Sequence, residues 1–356
     1  MPQPNNGAGA KRATMKDVAA LAGVSPKTVS NVLTGTVGVR ESTRTVVEDA
    51  MATLGYVPNL GARGLRNGRT GIIGFALPDL ATAFSASLTH AVVQLAHERG
   101  LAVLVEETAA DPTREHLLVA RAREHSIDGL ILNPVRLQDS VVEHVDHLPP
   151  VVLIGEVEQY KTDRVFVDSR AAAREATEHL IAQGARRIAV VGGSRGARPG
   201  LATSGLRLRG YLDALDAAGI EPDAELQISV RQWTIEGGAG AVRALRATGR
   251  PFDAILCFTD SMALGAVHAL HEAGLQVPRD VLVAGFDDVE HARFAVPALT
   301  TVGFDHVAYV TAALDLLQRR IDGRERAAEA VVVPHSLTLR ESTAALPAGA
   351  DPAAEA

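Results

Sequence analysis

The sequence contains a single cysteine and no long apolar run. Cys257 cannot form a disulfide within the chain, and its place in the apolar run "DAILCF" predicts a buried structural thiol. No run of about 18 uncharged apolar residues occurs, which argues against a membrane-spanning helix. The first residues, "MPQPNNGAGAKR", lack the apolar stretch of a secretory signal. We therefore expect a cytoplasmic protein without a membrane partner.

Length and charge indicate a small basic module attached to a larger acidic body. The 356 residues are enough for two or three domains, and 47% apolar with 22% charged residues is typical of soluble globular proteins. The net charge is −7, yet residues 1–70 hold nine Lys/Arg against four Asp/Glu, which leaves −12 for the remainder. This asymmetry favours a polyanion, such as DNA, as the partner of the N-terminal region.

Residues 13–57 show the pattern of three short helices. Thr14 and Asp17 form a capping-box pair at the start of the first helix, and Gly23 suits the left-handed position that ends it. Ser25 and Pro26 then fit the N-cap and first position of a second helix. The expected inward residues are Val18, Leu21 and Ala22, then Val29, Val32 and Leu33, and then Val46, Val47, Ala50 and Leu54 in a third helix from Ser42 to Leu54, closed by Gly55.

Two helices joined by a tight glycine-containing turn indicate a helix-turn-helix. The break sets the second helix across the first, so that its N-terminal end can enter a DNA major groove. Short polar side chains with one lysine suit base edges and phosphates better than the Glu/Lys pairs of a merely solvated helix. The exposed positions of this helix are Pro26, Lys27, Thr28, Ser30 and Asn31.

The run "TMKDVAALAGVSPKTVSNVLTG", with "TLGYVPNLGARGLRNGRTGIIGFALPDL" after it, resembles the LacI/GalR (lactose/galactose repressor) family of transcription regulators. The resemblance extends to about residue 343. It implies that Pro26, Lys27 and Asn31 read bases, since asparagine can pair with adenine and lysine can donate to guanine. Ser25, Thr28, Ser30 and Arg40 are then expected to hold phosphates.

Residues 58–69, "PNLGARGLRNGR", are short, basic and rich in glycine, which by itself indicates a flexible linker. The resemblance implies a hinge that becomes helical on DNA and inserts Leu65 into the minor groove, with Asn59, Ala62 and Arg63 beside it. Gly61 and Gly64 each disfavour helix by about 1 kcal/mol relative to alanine. We therefore expect a hinge that orders only in the DNA complex.

From residue 70, buried apolar runs alternate with amphipathic helical segments. The strand-like runs are "GIIGFAL", "LAVLVEE", "DGLILN", "PVVLIG", "RIAVVGG", "FDAILCF" and "DVLVAGF". This alternation predicts parallel sheets with helices on both faces. Two sets of runs, about 70–168 and 169–300 with a C-terminal piece crossing back, indicate two lobes. The resemblance implies that this two-lobed body is like a periplasmic binding protein, so the predicted fold is an all-α helix-turn-helix headpiece followed by a two-lobed α/β body of that kind.

The resemblance implies a small-molecule effector between the lobes, at the carboxyl ends of the strands. Arg207 occupies the family's cleft arginine position and Asp287 its cleft carboxylate, while Trp233 could stack on a sugar ring or pack in the core. Gly155 stands where sugar binders often have aspartate, although Glu156 follows. The expected effector contacts are Asp79, Phe84, Asn133, Glu156, Arg207, Trp233, Thr259, Asp260 and Asp287, several of which could instead cap helices or hold the lobes.

No nucleophile–base pair or metal-ligand set is recognisable, so we expect no enzyme activity, cofactor or metal. The expected divisions are a disordered tail (1–12), the headpiece (13–57), the hinge (58–69), the effector body (70–343) and a second disordered tail (344–356). That last tail lacks leucine heptads, which favours a homodimer. The predicted function is a repressor that binds a pseudo-palindromic operator in double-stranded DNA under allosteric control by a sugar. The alternatives are a purine or other metabolite acting as corepressor, a solute-binding protein without a DNA role, and an α/β enzyme that acquired a DNA-binding head.

Overall fold

The computed structural model describes residues 13–34, 38–56, 69–109, 111–124, 127–134, 142, 149–156, 161–193, 203–323 and 327–344. The chain divides into two compact units, Met1–Thr70 and Gly71–Ala356. Helices and strands are numbered below in chain order over the described residues. Within those residues, no helix combines the length and the apolar character needed to cross a membrane.

The first unit contains three helices, as the sequence predicts: α1 (Met15–Leu21), α2 (Pro26–Thr34) and α3 (Glu41–Leu54). The capping box between Thr14 and Asp17 is present, and Gly23 and Gly55 adopt positive φ after α1 and α3. The predictions for Leu21 and Val46 were wrong, because these side chains are 53% and 48% exposed. Each lies at the edge of its helical stripe. The buried core consists of Val18, Ala19, Ala22, Val29, Val32, Val47 and Ala50.

The second unit contains two six-stranded sheets, each the centre of one lobe. Lobe 1 is built on an entirely parallel sheet with strand order β11-β5-β4-β3-β1-β2. Its strands are β1 (Ile72–Leu77), β2 (Ala102–Glu107), β3 (Gly129–Leu132), β4 (Val151–Ile154), β5 (Asp163–Phe166) and β11 (Ala330–Val332). Its helices are α4 (Ala83–Glu98), α5 (Pro112–Arg123) and α11 (His306–Ile321).

Lobe 2 has the strand order β12-β10-β9-β8-β6-β7, with only β12 antiparallel to its neighbour. Its strands are β6 (Ile188–Val191), β7 (Gln227–Ile228), β8 (Ala254–Cys257), β9 (Leu282–Phe286), β10 (Thr300–Phe304) and β12 (His335–Thr338). Its helices are α6 (Ser169–Ala182), α7 (Thr203–Ala217), α8 (Ile235–Ala247), α9 (Asp260–Glu272) and α10 (Glu290–Phe294), with short 3₁₀ helices at Ala224–Leu226 and Glu341–Thr343.

The chain passes between the lobes at residues 167–168, 305 and 333–334, so the C-terminal part belongs to both lobes. All seven strands expected from apolar runs are present. The strands β5, β7, β10, β11 and β12 were not recognised, because they are short or carry polar residues. Cys257 is buried at the end of β8, as predicted.

Candidate functional site

Helix α2 presents the side chains that the sequence assigned to DNA. Val29 and Val32 anchor one side of the helix in the headpiece core, which turns the opposite side outward. Ser25 accepts a hydrogen bond from the Thr28 backbone nitrogen at 3.1 Å, and the hydroxyls of these two residues lie 2.9 Å apart. Ser25, Pro26 and Lys27 are exposed, whereas Thr28, Ser30 and Asn31 are half-buried.

Arg40 is the N-cap residue of α3; it is exposed and makes no side-chain capping hydrogen bond. An exposed guanidinium at this point is available to a phosphate. The expected hinge contacts, Asn59, Ala62, Arg63 and Leu65, lie outside the described residues.

Most of the expected effector contacts of the second unit lie just after the carboxyl ends of strands. Asn133 follows β3, Glu156 follows β4, and Thr259 and Asp260 follow β8. Asp287 comes directly after β9. Because parallel strands end at one edge of a sheet, each lobe collects its polar side chains at a single edge.

Arg207, on α7, lies at the centre of the lobe 2 group and is only 6% exposed. Its Nε donates to Ser169 Oγ at 3.1 Å, and its Nη1 donates to the Phe258 carbonyl. Its Cζ lies 3.3 Å from the ring centroid of Phe286, which is a close cation–π contact. No described residue accepts a hydrogen bond from its Nη2 atom. The guanidinium is therefore fixed in orientation with donor capacity to spare.

Burial lowers the pKa of Arg207, while the nearby carboxylates of Glu156, Asp287 and Asp260 act in the opposite direction. These three acidic residues are themselves buried, with exposures of 7%, 3% and 0%. The group around Arg207 thus contains one cation and three carboxyl groups, and burial favours the uncharged form of Asp287. Such a site suits an uncharged ligand that brings both hydrogen-bond donors and acceptors.

Glu156 connects the two lobes. One carboxylate oxygen accepts a hydrogen bond from Ser169 Oγ at 2.5 Å, and the other accepts one from Thr203 Oγ1 at 2.5 Å. Glu156 belongs to lobe 1, whereas Ser169 and Thr203 begin helices of lobe 2. Neither hydroxyl is among the residues predicted from the sequence. Both stand at the first positions of helices, where a serine or threonine is commonplace.

Asp287 and Asp260 lie deeper in lobe 2. Burial raises the pKa of Asp287 well above its usual range, and the charge of Arg207 partly opposes this. Burial also raises the pKa of Asp260 to about 7. Both Asp260 oxygens accept hydrogen bonds, from Thr301 Oγ1 at 2.6 Å and from the Val289 nitrogen at 2.9 Å.

Aromatic side chains from both lobes accompany these polar groups. Phe84 of lobe 1 lies edge-on to Phe304 and His306, with ring centroids 6.1 and 5.7 Å apart, and it also packs against the core of lobe 2. Trp233 is half-buried and lies edge-on to Phe258 at 6.2 Å. Trp233 therefore packs on the core while part of its surface stays accessible.

The other expected contacts hold local structure. Thr259 is the N-cap of α9 and accepts a hydrogen bond from the Met262 nitrogen at 3.3 Å. Asp79 accepts one from the Ala81 nitrogen at 2.8 Å. The Asn133 Oδ1 atom lies 3.1 Å from the point where a Cβ on Gly155 would stand, and Gly155 has a positive φ of 96°. A side chain at position 155 would therefore be strained, which explains the glycine there.

The structure also brings Tyr309 and His306 to this region, and sequence reasoning missed both. The Tyr309 hydroxyl accepts a hydrogen bond from the Gly155 nitrogen at 2.7 Å and donates to the Val165 carbonyl at 3.0 Å. Burial lowers the pKa of His306. Both residues lie in the first turn of α11, directly after the chain crosses from lobe 2 into lobe 1. Within the described part of the chain, no three His, Cys, Asp or Glu side chains converge as a metal ion would require.

Comparison with known proteins gives two matching family models. Residues 14–59 match the model for bacterial regulatory proteins of the lacI family, and residues 177–343 match that for a periplasmic binding protein-like domain. The chain is 33% identical to the HTH-type transcriptional regulator GalR of Escherichia coli (strain K12), over 88% of this chain and 90% of GalR. It is 32% identical to the HTH-type transcriptional repressor CytR of the same strain, over 94% of this chain and 97% of CytR.

Two solved structures extend this similarity to the whole architecture. The lac repressor dimer bound to operator and the anti-inducer ONPF superposes with a TM-score of 0.76 at 30% identity, covering 94% of this chain and 99% of that one. The transcriptional regulator CelR in complex with cellobiose gives a TM-score of 0.69 at 31% identity, covering 93% and 100%. These relatives are regulators of transcription and not enzymes. With its helix-turn-helix, its two-lobed body and this extent of identity, the chain belongs to the LacI family of bacterial transcription regulators.

Proposed function

We propose that this regulator is a homodimeric repressor that binds a pseudo-palindromic operator in double-stranded DNA and responds to a sugar bound between its lobes. The single observation that supports the sugar is the group formed by Arg207, Glu156 and Asp287. Two buried carboxyl groups and one fixed guanidinium provide acceptors and donors for several hydroxyl groups, and Glu156 lies close enough to Arg207 to offset its charge, so the site does not require an anionic ligand. The partly accessible ring of Trp233 adds an apolar platform for a sugar ring.

The coupling between sugar and DNA is proposed to act through Glu156. A ligand hydroxyl that competes for its carboxylate changes the contacts of lobe 1 with Ser169 and Thr203. The relative position of the lobes then shifts, and with it the spacing of the two headpieces in the dimer. By reciprocity, operator binding changes sugar affinity by the same factor. A regulator that binds genomic DNA works in the cytoplasm, which we propose as its location.

We assign the DNA contacts as the sequence predicts, with Pro26, Lys27 and Asn31 at the bases and Ser25, Thr28, Ser30 and Arg40 at phosphates. The support is the exposed or half-exposed state of these residues on the headpiece. The hinge residues Asn59, Ala62, Arg63 and Leu65 are proposed to read the minor groove between the two half-sites.

Gel-shift titration of the full-length chain on DNA upstream of its own gene tests this proposal. Operator binding should occur without ligand and should be relieved by one sugar of a panel of mono- and disaccharides that includes cellobiose. A shift that appears only when a nucleobase or sugar is added indicates the corepressor mode instead. No preference for an inverted repeat over random duplex, at moderate ionic strength and with every compound, contradicts the proposal.

A further inference from the structure

The segment after β9 has an unusual backbone. Asp287 and Asp288 follow one another with φ values of 115° and 50°, in the left-handed half of the conformational map. Residues other than glycine adopt such conformations at a cost in free energy, which surrounding contacts must offset. Both aspartates thus hold their carboxylates in a geometry that the backbone alone disfavours.

Side chains from two other elements hold this segment in place. Asp260, at the start of α9, accepts a hydrogen bond from the Val289 nitrogen at 2.9 Å and another from Thr301 Oγ1 at 2.6 Å. The same Thr301 oxygen accepts a longer hydrogen bond, 3.4 Å, from the Asp288 nitrogen. The turn is thus fixed by one carboxylate and one hydroxyl that are both fully buried.

Arg340 holds the same turn from the C-terminal segment. Its Nη2 donates to Asp288 Oδ1 at 2.6 Å, and its Nη1 donates to the Leu299 carbonyl at 2.9 Å. Thr338 Oγ1 donates to the other Asp288 oxygen at 3.3 Å. A cation and a hydroxyl therefore tie this aspartate to β12 and to the segment that follows it.

Two glycines in the neighbouring strands make room for this arrangement. A Cβ on Gly285 would lie 2.2 Å from Asp260 Oδ1, and a Cβ on Gly303 would lie 2.5 Å from the Asp288 Cβ. Any larger residue would displace the aspartates. Asp260 and Asp288 therefore depend on the absence of a side chain at these two strand positions.

We propose that Asp260, Thr301 and Arg340 are positioning residues, which hold the Asp287–Asp288 turn so that the Asp287 carboxylate meets the effector. Asp260 then does not contact the effector itself, since it is fully buried and both of its partners belong to the interior of a single lobe. This inference rests on the proposed effector site. It assigns part of the effector specificity to three residues that support the site from within lobe 2.

The test compares Thr301→Val with Thr301→Ser in the full-length chain. Serine retains the hydroxyl, whereas valine has nearly the shape of threonine without it. Cellobiose is the probe, and its affinity is measured by calorimetry well below the melting temperature. We expect about a tenfold weaker affinity for Thr301→Val and an affinity within twofold of the wild type for Thr301→Ser, since a tenfold change corresponds to about 1.4 kcal/mol. The matched control is Thr177→Val, which removes an equally buried hydroxyl that donates within α6 at 2.7 Å; it should leave the affinity unchanged.

Crystal structures of Thr301→Val and Asp260→Asn provide the second measurement. Relaxation of Asp287 or Asp288 to negative φ supports the positioning role. An unchanged turn in both variants, or equal affinities of the valine and serine variants for cellobiose, overturns it. If the wild-type chain does not bind cellobiose, that result counts against this sugar as the effector, and the geometry of the turn alone decides the positioning role.

Discussion

The substitution Arg207→Lys tests how the effector site works. Lysine keeps a positive charge but loses the planar group that reaches Ser169 and the Phe258 carbonyl together. It also cannot reproduce the 3.3 Å contact over the ring of Phe286. The remaining ammonium group has no fixed orientation from which to donate to ligand hydroxyls.

The magnitude follows from the hydrogen bonds to the ligand that the fixed orientation of Arg207 permits. The contacts with Ser169, Phe258 and Phe286 exist with and without effector, so they act on binding only by holding the guanidinium in place. A hydrogen bond from a charged group contributes about 1.5–3 kcal/mol, so the loss of one or two of them to ligand hydroxyls removes about 3 kcal/mol. Affinity should then weaken somewhat more than a hundredfold.

Calorimetric titration with the sugar that relieves operator binding measures this loss. Arg243→Lys is the matched control, because Arg243 is 46% exposed and pairs with Glu272 at 2.9 Å on the surface of lobe 2. Such a pair contributes about 0–1 kcal/mol, so the control should bind the sugar normally. A folded Arg207→Lys variant that binds within threefold of the wild type would refute the role given to the guanidinium.

Three further predictions concern DNA binding, coupling and pH. Asn31→Ala should weaken operator binding by about 1–3 kcal/mol and leave binding to random duplex unchanged, as measured by fluorescence anisotropy. Equal losses of affinity for both DNAs would argue against a role of Asn31 in reading bases. Glu156→Gln should reduce the ratio of operator affinities with and without sugar, and an unchanged ratio would exclude Glu156 from the coupling. Burial raises the pKa of Asp260 to about 7. The protonated carboxyl therefore stabilises the fold to its full extent below about pH 4, and this stabilisation is lost as the pH rises through 7. Asp260→Asn should therefore flatten the decline of melting temperature from pH 4 to 8, and parallel profiles would contradict this.

Much of the fold could be predicted from local sequence signals. The three helices of the headpiece carry caps and turn residues that act within a few positions, so Thr14, Gly23 and Ser25 behave as their chemistry indicates. Long buried strands are indicated by continuous apolar runs in the sequence. No such run indicates β5, which contains Asp163 and Arg164, or the two-residue β7. The pairing of these strands depends on neighbours that are distant in sequence.

The candidate site could be predicted only in part. The resemblance led to Arg207 and Asp287, yet no local signal indicates that Glu156 would meet two hydroxyls from the opposite lobe. That contact depends on how the crossing segments place the lobes. It is a tertiary property, and a pattern within one stretch of sequence does not contain it.

Residues that contact a ligand can be distinguished from residues that support those contacts by their hydrogen-bond partners. Asp260 and Asp287 look alike in sequence, because each is an aspartate within three residues of the end of a buried strand. The structure distinguishes them by their partners: Asp260 is engaged by Thr301 and Val289 within lobe 2, whereas Asp287 lies close enough to Arg207 for its charge to oppose the rise in pKa that burial causes. Asp260 is fully buried and both of its hydrogen bonds lie within one lobe, whereas the two hydrogen bonds of Glu156 cross between the lobes, where a ligand can exchange for them. Effector specificity in this regulator should therefore change most with substitutions at Arg207, Glu156 and Asp287, while substitutions at Asp260 alter affinity through the backbone of the turn.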